Sequence, residues 1–358
     1  MTAFVCKAPW TSIAFQPTGV APCCIYDLAY VEEFTDSDSL FEKDRTAFLN
    51  GDIPAGCDKC VSYEKEGIPS YKQTFDKYQT DFKERNLQEI NIKSNNFCNL
   101  ACRSCGPHFS SKWEEEFGDV ITITKDDFIL KKFHLLDTST LKEIGFAGGE
   151  PTLTPEHTYV LQKLIERGHT NMRITMSTNL HNLSFKGNNL VELWKKFPNF
   201  TLQVSIDGVN DRAANIRSGS NWDIITKNIK ILKENKIKFY VNCTTSALNI
   251  WFLEETVNCL SNEFGITNIK FYILQDPDIM NCRVIPEEFK PALNEQIDRC
   301  IEKGFNLLNF KNYFNAVDES HLWPHFLIYN LMLDVTRKEK FFDSLPIKKQ
   351  LLEKWIRL

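Results

Sequence analysis

Apolar and polar positions along the chain follow two rhythms that take turns. In short runs such as Glu89-Ile90-Asn91-Ile92-Lys93 and Glu143-Ile144-Gly145-Phe146-Ala147 every second residue is apolar, the signature of a half-buried strand. This rhythm predicts strands over 89–94, 143–147, 172–177, 201–206, 237–244 and 268–274. Between them apolar residues recur three and four apart, which predicts helices near 155–168, 189–196, 222–234, 250–263 and 287–303. Consecutive parallel strands need a crossover, and a helix is the usual one. The six alternations therefore predict an α/β fold with a parallel sheet and right-handed crossovers. Ligands of such folds gather at the carboxyl ends of the strands.

Other segments frame this repeat. Ser12-Ile13-Ala14-Phe15 and the residues after Pro17-Thr18-Gly19 read as two short strands of a β-hairpin, and 41–50 as a helix. The charged stretch from Gln79 to the first repeated strand predicts a helical connector. Helices are also predicted over 110–117 and 126–136. Residues 305–358 carry His321, Trp323 and several Phe in helical stretches, either a cap over the barrel mouth or a packing unit. The chain divides accordingly into an amino-terminal module (1–78), a barrel (79–283) and a helical carboxyl-terminal extension (284–358).

Composition narrows the class. The 358 residues, 42% hydrophobic and 25% charged, describe a soluble globular protein. A net charge of −5 offers no electrostatic case for nucleic acid or a membrane surface. No apolar run approaches the roughly 20 residues of a spanning helix. Met1-Thr2-Ala3-Phe4-Val5-Cys6-Lys7 lacks the basic and apolar regions of a secretory signal, so the cytoplasm is the expected compartment. There the 12 cysteines read as metal or catalytic groups before disulfides. Cys243, Cys259, Cys282 and Cys300 stand in apolar or helical contexts and are expected to be buried packing residues.

Three cysteines crowd one loop. Cys98, Cys102 and Cys105 follow the first repeated strand at C-x3-C-x2-C spacing. Three thiolates in one loop suit three corners of a cubane iron–sulfur cluster and leave the fourth iron open to a small molecule. A zinc loop, with His108 as a further ligand, is the competing reading. The second repeated strand ends in Gly148-Gly149-Glu150-Pro151. With these two motifs in this order the chain resembles the radical S-adenosylmethionine (radical SAM) superfamily. The resemblance implies a partial (β/α)6 TIM-like barrel and a 4Fe-4S cluster on Cys98, Cys102 and Cys105. It further implies that SAM binds the open iron and is cleaved reductively to a 5′-deoxyadenosyl radical, which takes a hydrogen atom from the substrate. Ser104 departs from the aromatic residue often found before the third cysteine, a change that bears on adenine packing.

The amino-terminal cysteines form a second group. Cys6 precedes the hairpin, Cys23 and Cys24 follow it, and Cys57-Asp58-Lys59-Cys60 comes after the helix-like stretch. Four sulfurs in this layout suit one site, since C-x2-C lets two thiolates reach one metal. A four-cysteine zinc site and an iron–sulfur cluster both satisfy the spacing. The layout resembles the twitch domain, a shortened relative of the SPASM domain, and implies an auxiliary 4Fe-4S cluster. Bacterial and phage proteins with an amino-terminal twitch domain are similar through Cys6-Lys7-Ala8-Pro9-Trp10, Pro22-Cys23-Cys24 and the segment ending in Cys57-Asp58-Lys59-Cys60. Their likeness extends to Glu64-Lys65-Glu66-Gly67 with Ser70, and to Cys105-Gly106-Pro107. Aligned on the proline the second ligand is Cys23; counted from Gly19 it is Cys24.

The same resemblance implies the rest of a SAM pocket. Gly148, Gly149 and Glu150 end one strand; Ser177 and Asn179 follow the third; Ser205 and Asp207 end the fourth. Arg217 matches an arginine that pairs with the SAM carboxylate, a planar group that a guanidinium fork suits. Asn242 on the fifth strand is expected to face the pocket, and Cys243 to face away from it. The substrate, a peptide or a small molecule, is not selected by any motif. Reduction implies a reductase such as flavodoxin or ferredoxin. A non-catalytic iron–sulfur protein on the same scaffold is the alternative from another class.

Overall fold

The structure is a computed structural model and describes residues 4–34, 37–65, 69–93, 95–118 and 128–346. In chain order its first six strands are β1 (Ser12–Gln16), β2 (Gly19–Ala21), β3 (Glu89–Ile92), β4 (Ala101–Cys102), β5 (Glu143–Phe146) and β6 (Arg173–Thr178). The remaining six are β7 (Ser184–Phe185), β8 (Asn188–Asn189), β9 (Phe200–Ser205), β10 (Arg217–Ser218), β11 (Lys238–Thr245) and β12 (Ile269–Ile273). Eight of them form a mostly parallel sheet in the order β12-β11-β9-β6-β5-β3-β1-β2, the expected α/β arrangement. The six repeated strands stand where the alternation put them, with ends moved by no more than two residues.

The chain forms two compact units. One contains Met1–Cys98, Pro107–Thr178 and Asn182–Leu202. Here Ile90, Ile92, Ile144, Phe146, Ile174 and Met176 are buried on one face of β3, β5 and β6. Each contributes about 1.5–3 kcal/mol by leaving water. The helix Pro155–Glu166 covers that face type with His157, Val160, Leu161 and Leu164, spaced three and four apart. The opposite face is polar and presents Asn91, Thr175 and Ser177. Parallel pairing aligns Ser12 with Glu89 and Phe15 with Ile92, so the amino-terminal hairpin β1–β2 extends the sheet rather than standing apart from it.

The other unit contains Asn99–Gly106, Asn179–His181 and Gln203–Leu358. Parallel β11 and β12 align Val241 with Ile269 and Thr245 with Ile273. The helix Trp222–Glu234 buries Ile225, Ile229 and Leu232, and its N-cap Asn221 accepts from the Ile224 amide at 3.1 Å. Such a cap contributes roughly 1 kcal/mol. The carboxyl-terminal extension supplies the helices Lys290–Glu302, Leu308–Ala316 and Trp323–Arg337.

One expectation is corrected. The connector from Gln79 to β3 contains no helix. Tertiary bonds hold its second half instead: Asn86 N–H donates to Trp10 O and Gln88 N–H to Thr11 O, each at 2.8 Å. Arg85 completes the seam by donating to Pro9 O and Ser12 O. The helix expected near 250–263 spans those residues, with a 3-10 first turn Ile250–Phe252, an α-helical middle Leu253–Asn258 and a π turn Cys259–Glu263. The expected helix over 126–136 is present from Phe128; its first two residues lie outside the described residues. Cys243, Cys259, Cys282 and Cys300 are buried as expected.

Candidate active site

In the first unit the end of β5 packs backbone against backbone on the start of the cysteine loop. Gly149 N–H donates to Asn95 O at 3.1 Å and Glu150 N–H to Phe97 O at 2.7 Å. A β-carbon on Gly148 would lie 2.9 Å from Asn95 O, and one on Gly149 would lie 2.6 Å from the Asn96 carbonyl carbon. Gly148 also holds φ +114°, where L side chains are strained. Both glycines are thus required for the loop to come this close. Glu150 is buried, and its Oε1 accepts from Thr152 N–H at 3.2 Å, Thr152 Oγ1 at 2.7 Å and Thr178 Oγ1 at 2.7 Å. These bonds hold the carboxylate in one orientation. Cys98 and Ser177 are half-buried, and Cys98 N–H donates to Ser111 Oγ at 3.2 Å.

In the second unit the cysteine loop pairs with the strand that bears the expected arginine. Antiparallel β4 and β10 place Arg217 opposite Cys102 and Ser218 opposite Ala101. Arg217 Nη1 lies 3.9 Å from Cys102 Sγ. Its Nε and Nη2 both donate to Asp207 Oδ2 at 2.7 Å, and Asp207 Oδ1 accepts from Thr244 N–H at 2.7 Å. Burial alone would lower the Arg217 pKa, but Asp207 and the Cys102 and Cys105 thiols together outweigh it and move the pKa up. Burial pushes the Cys102 thiol up, and Arg217 opposes this. The arrangement is a fixed cation beside a candidate cluster ligand. Cys105 follows one turn later, its N–H donating to Cys102 O at 2.9 Å.

Asn179 donates through Nδ2 to Asn99 Oδ1 of the cysteine loop at 2.8 Å. His181 braces it: the ring Nε2 accepts from Asn221 N–H at 2.8 Å, so Nδ1 carries the proton and donates to Asn179 O at 3.0 Å. Burial moves the His181 pKa down, which keeps this neutral form. Ser205 is half-buried at the end of β9, and Asn242 Nδ2 donates to Gln203 Oε1 at 3.4 Å. Thr152, Thr178, His181 and Asn99 are partners that sequence reasoning passed over. Thr178 and Asn99 adjoin residues that were singled out, but nothing local to them signals a distant partner.

The amino-terminal cysteines separate into two environments. Cys6, Cys23, Cys57 and Cys60 line one enclosed, largely apolar pocket with Phe48 and Phe75. Burial pushes the Cys6 thiol up to about 12 and raises Cys23 and Cys57 as well, and neighbouring thiols push each further up. Bound iron cations would reverse this, because a coordinating thiol is deprotonated by its metal. Cys24 is absent from the pocket lining; its thiol hydrogen-bonds Tyr71, and its carbonyl accepts from Lys93 Nζ at 3.2 Å. Among the described residues no three His, Cys, Asp or Glu side chains converge as ligands of a single ion. Three thiols in one loop and four around one pocket are donor sets of the chemistry that iron–sulfur clusters take.

Residues 92–257 match the model of the Radical SAM superfamily. A search of curated protein sequences finds no significant match. Among solved structures, anSMEcpe with bound AdoMet and Cp18Cys peptide is similar at 19% identity and a TM-score of 0.40, over 53% of this chain and 51% of that one. SuiB of Streptococcus suis bound to S-adenosylmethionine is similar at 17% identity and a TM-score of 0.37, over 76% and 52%. The chain thus spans about half the length of each of these structures. Among the described residues no helix is long and apolar enough to cross a membrane. The barrel segment that carries both motifs, residues 92–257, is similar to radical SAM domains.

Proposed function

We propose that this chain is a radical SAM enzyme with two 4Fe-4S clusters, acting on a peptide or small-molecule substrate. One observation carries the reading: β4–β10 pairing seats the Arg217 guanidinium beside Cys102, with Asp207 fixing it from behind. Cys98, Cys102 and Cys105 hold the first cluster. When bound, the cluster and SAM together supply a 5′-deoxyadenosyl radical that removes a hydrogen atom from the substrate. Arg217 receives the SAM carboxylate, for which its free donors and fixed plane suit it. Glu150 receives the SAM amino group, held in place by Thr152 and Thr178. Gly148 and Gly149 keep the strand end against the cysteine loop. Ser177, Asn179 and Ser205 contact the ribose or the amino acid end. Asp207 acts on SAM through Arg217.

The auxiliary cluster belongs to a twitch-like module at 1–78, and its ligands are Cys6, Cys23, Cys57 and Cys60, which share one pocket. With four ligands it has no open iron and serves electron transfer. The barrel at 79–283 and the extension at 284–358 complete the chain, which works in the cytoplasm with flavodoxin or ferredoxin as reductant. Anaerobic reconstitution should give about eight irons per chain. Replacing Cys98, Cys102 and Cys105 together by Ala should leave about half the iron and abolish 5′-deoxyadenosine formation. Cleavage of SAM by that triple variant would end this reading.

A further inference from the structure

Between Cys102 and Cys105 the chain places an arginine that cluster ligation does not require. Arg103 is fully buried, among the largest side chains with no exposure. Taking a guanidinium from water is costly unless every donor is met. Here each nitrogen is engaged. Nε donates to Asn215 O at 2.8 Å, and Nη1 to Asn330 O at 3.2 Å and Asn330 Oδ1 at 3.3 Å. Nη2 donates to Glu339 Oε2 at 2.6 Å and also to Asp334. The guanidinium lies 4.8 Å from the centre of the Phe341 ring.

The same helix grips the loop a second time. Arg337 donates to Ala101 O at 2.8 Å and to Ser218 Oγ at 2.9 Å, and Ser218 donates to Glu339 Oε2 at 3.0 Å. Ala101 and Ser218 are the paired residues of β4 and β10, next to Cys102 and Arg217. The helix Trp323–Arg337 and the turn after it thus hold both the cysteine arm and the arginine strand. All of these carboxyl-terminal partners lie beyond residue 257, outside the segment that matches the family model.

We infer that Arg103 is a positioning residue that locks the Cys102–Cys105 arm and the Arg217 strand onto the carboxyl-terminal helix, making that helix part of the machinery for SAM cleavage. The inference rests on the function proposed above. A lysine has one ammonium with three donors and cannot reach acceptors on all four residues, so Arg103→Lys keeps the charge and loses the lock. Misplacement of a reacting group by about 1 Å can cost about 10²-fold in rate.

The test compares parent, Arg103→Lys and Glu339→Gln. Each is measured for iron content, melting temperature, 5′-deoxyadenosine formation and, in the iron-free chain, hydrogen exchange of the amides from Ala101 to Cys105. Arg103→Lys should retain iron and lose about 10²-fold in cleavage rate, with faster exchange in the loop. Glu339→Gln keeps Arg103 and should lose about tenfold, corresponding to about 1.4 kcal/mol. It decides the matter if Arg103→Lys does not fold. A purely structural contact would lower the melting temperature but leave rate per cluster unchanged. Rates within twofold of the parent at full iron, or unchanged loop exchange in both variants, would overturn the inference. An inert parent would sink the proposed function and this inference with it; an active parent with unaffected variants would sink the inference alone.

Discussion

Asp207→Asn is the sharpest probe of the candidate site, because it preserves shape and removes only charge. Asp207 is 4% exposed, and its two oxygens serve opposite neighbours: Oδ2 takes two donors from Arg217, Oδ1 takes the Thr244 amide. Asparagine has one oxygen. Pointed at Thr244, it turns an NH2 into the guanidinium; pointed at Arg217, it turns the NH2 into the Thr244 N–H. Either way one donor faces another, and Arg217, with a side chain only 16% exposed, loses its counter-ion. Removing one partner of a buried pair costs about 3–5 kcal/mol, since the remaining charge stays out of water. At about 2–4 °C per kcal/mol for a unit of this size, the melting temperature of the metal-free chain should fall by about 6–20 °C. The double variant Asp207→Asn, Arg217→Met leaves no charge stranded and should recover part of the loss. Calorimetry of parent, single and double variants reads both effects. A single variant melting within about 2 °C of the parent would refute the reasoning, as would a double variant no more stable than the single.

Two further expectations concern other parts of the chain. Cys23→Ala should cost about half the iron of the reconstituted protein while Cys24→Ala keeps it, and the Cys57→Ala, Cys60→Ala double variant should lose that iron yet still form 5′-deoxyadenosine without substrate. Iron analysis decides these, and equal loss at Cys23 and Cys24 would contradict the pocket assignment. His157 is buried with its ring edge-on to Phe146 and Phe185, and burial pushes its pKa down to about 4, with Thr154 and Pro151 backbone contacts offsetting this in part. The unfolded chain takes up a proton near 6.5 that the folded chain refuses until about 4, so stability is full above that window and is lost as pH falls through it, by about 3 kcal/mol. In His157→Gln this dependence between pH 6.5 and 4 should vanish from urea midpoints; its persistence would show that another group is responsible.

Local chemistry was written plainly in the chain. Alternating apolar residues must pair as strands to bury one face, and their regular exchange with helical spacing leaves a parallel sheet as the way to do so. The cysteine spacing and Gly148-Gly149-Glu150 were readable because ligation and close backbone approach each require particular residues at short range. The choice between Cys23 and Cys24 was not readable, since neighbours in sequence leave a turn in different directions and only packing decides which thiol enters the pocket. The connector before β3 carries helix-compatible residues, yet bonds to Trp10 and Thr11 about 76 residues away take up its backbone donors. The partnership of Asp207 with Arg217 was likewise hidden, both having been assigned separately to SAM. Arg103 shows the limit most clearly. A charged residue in a loop reads as solvated, and its burial becomes favourable only when Asn215, Asn330, Asp334 and Glu339 arrive from distant parts of the chain to meet every donor.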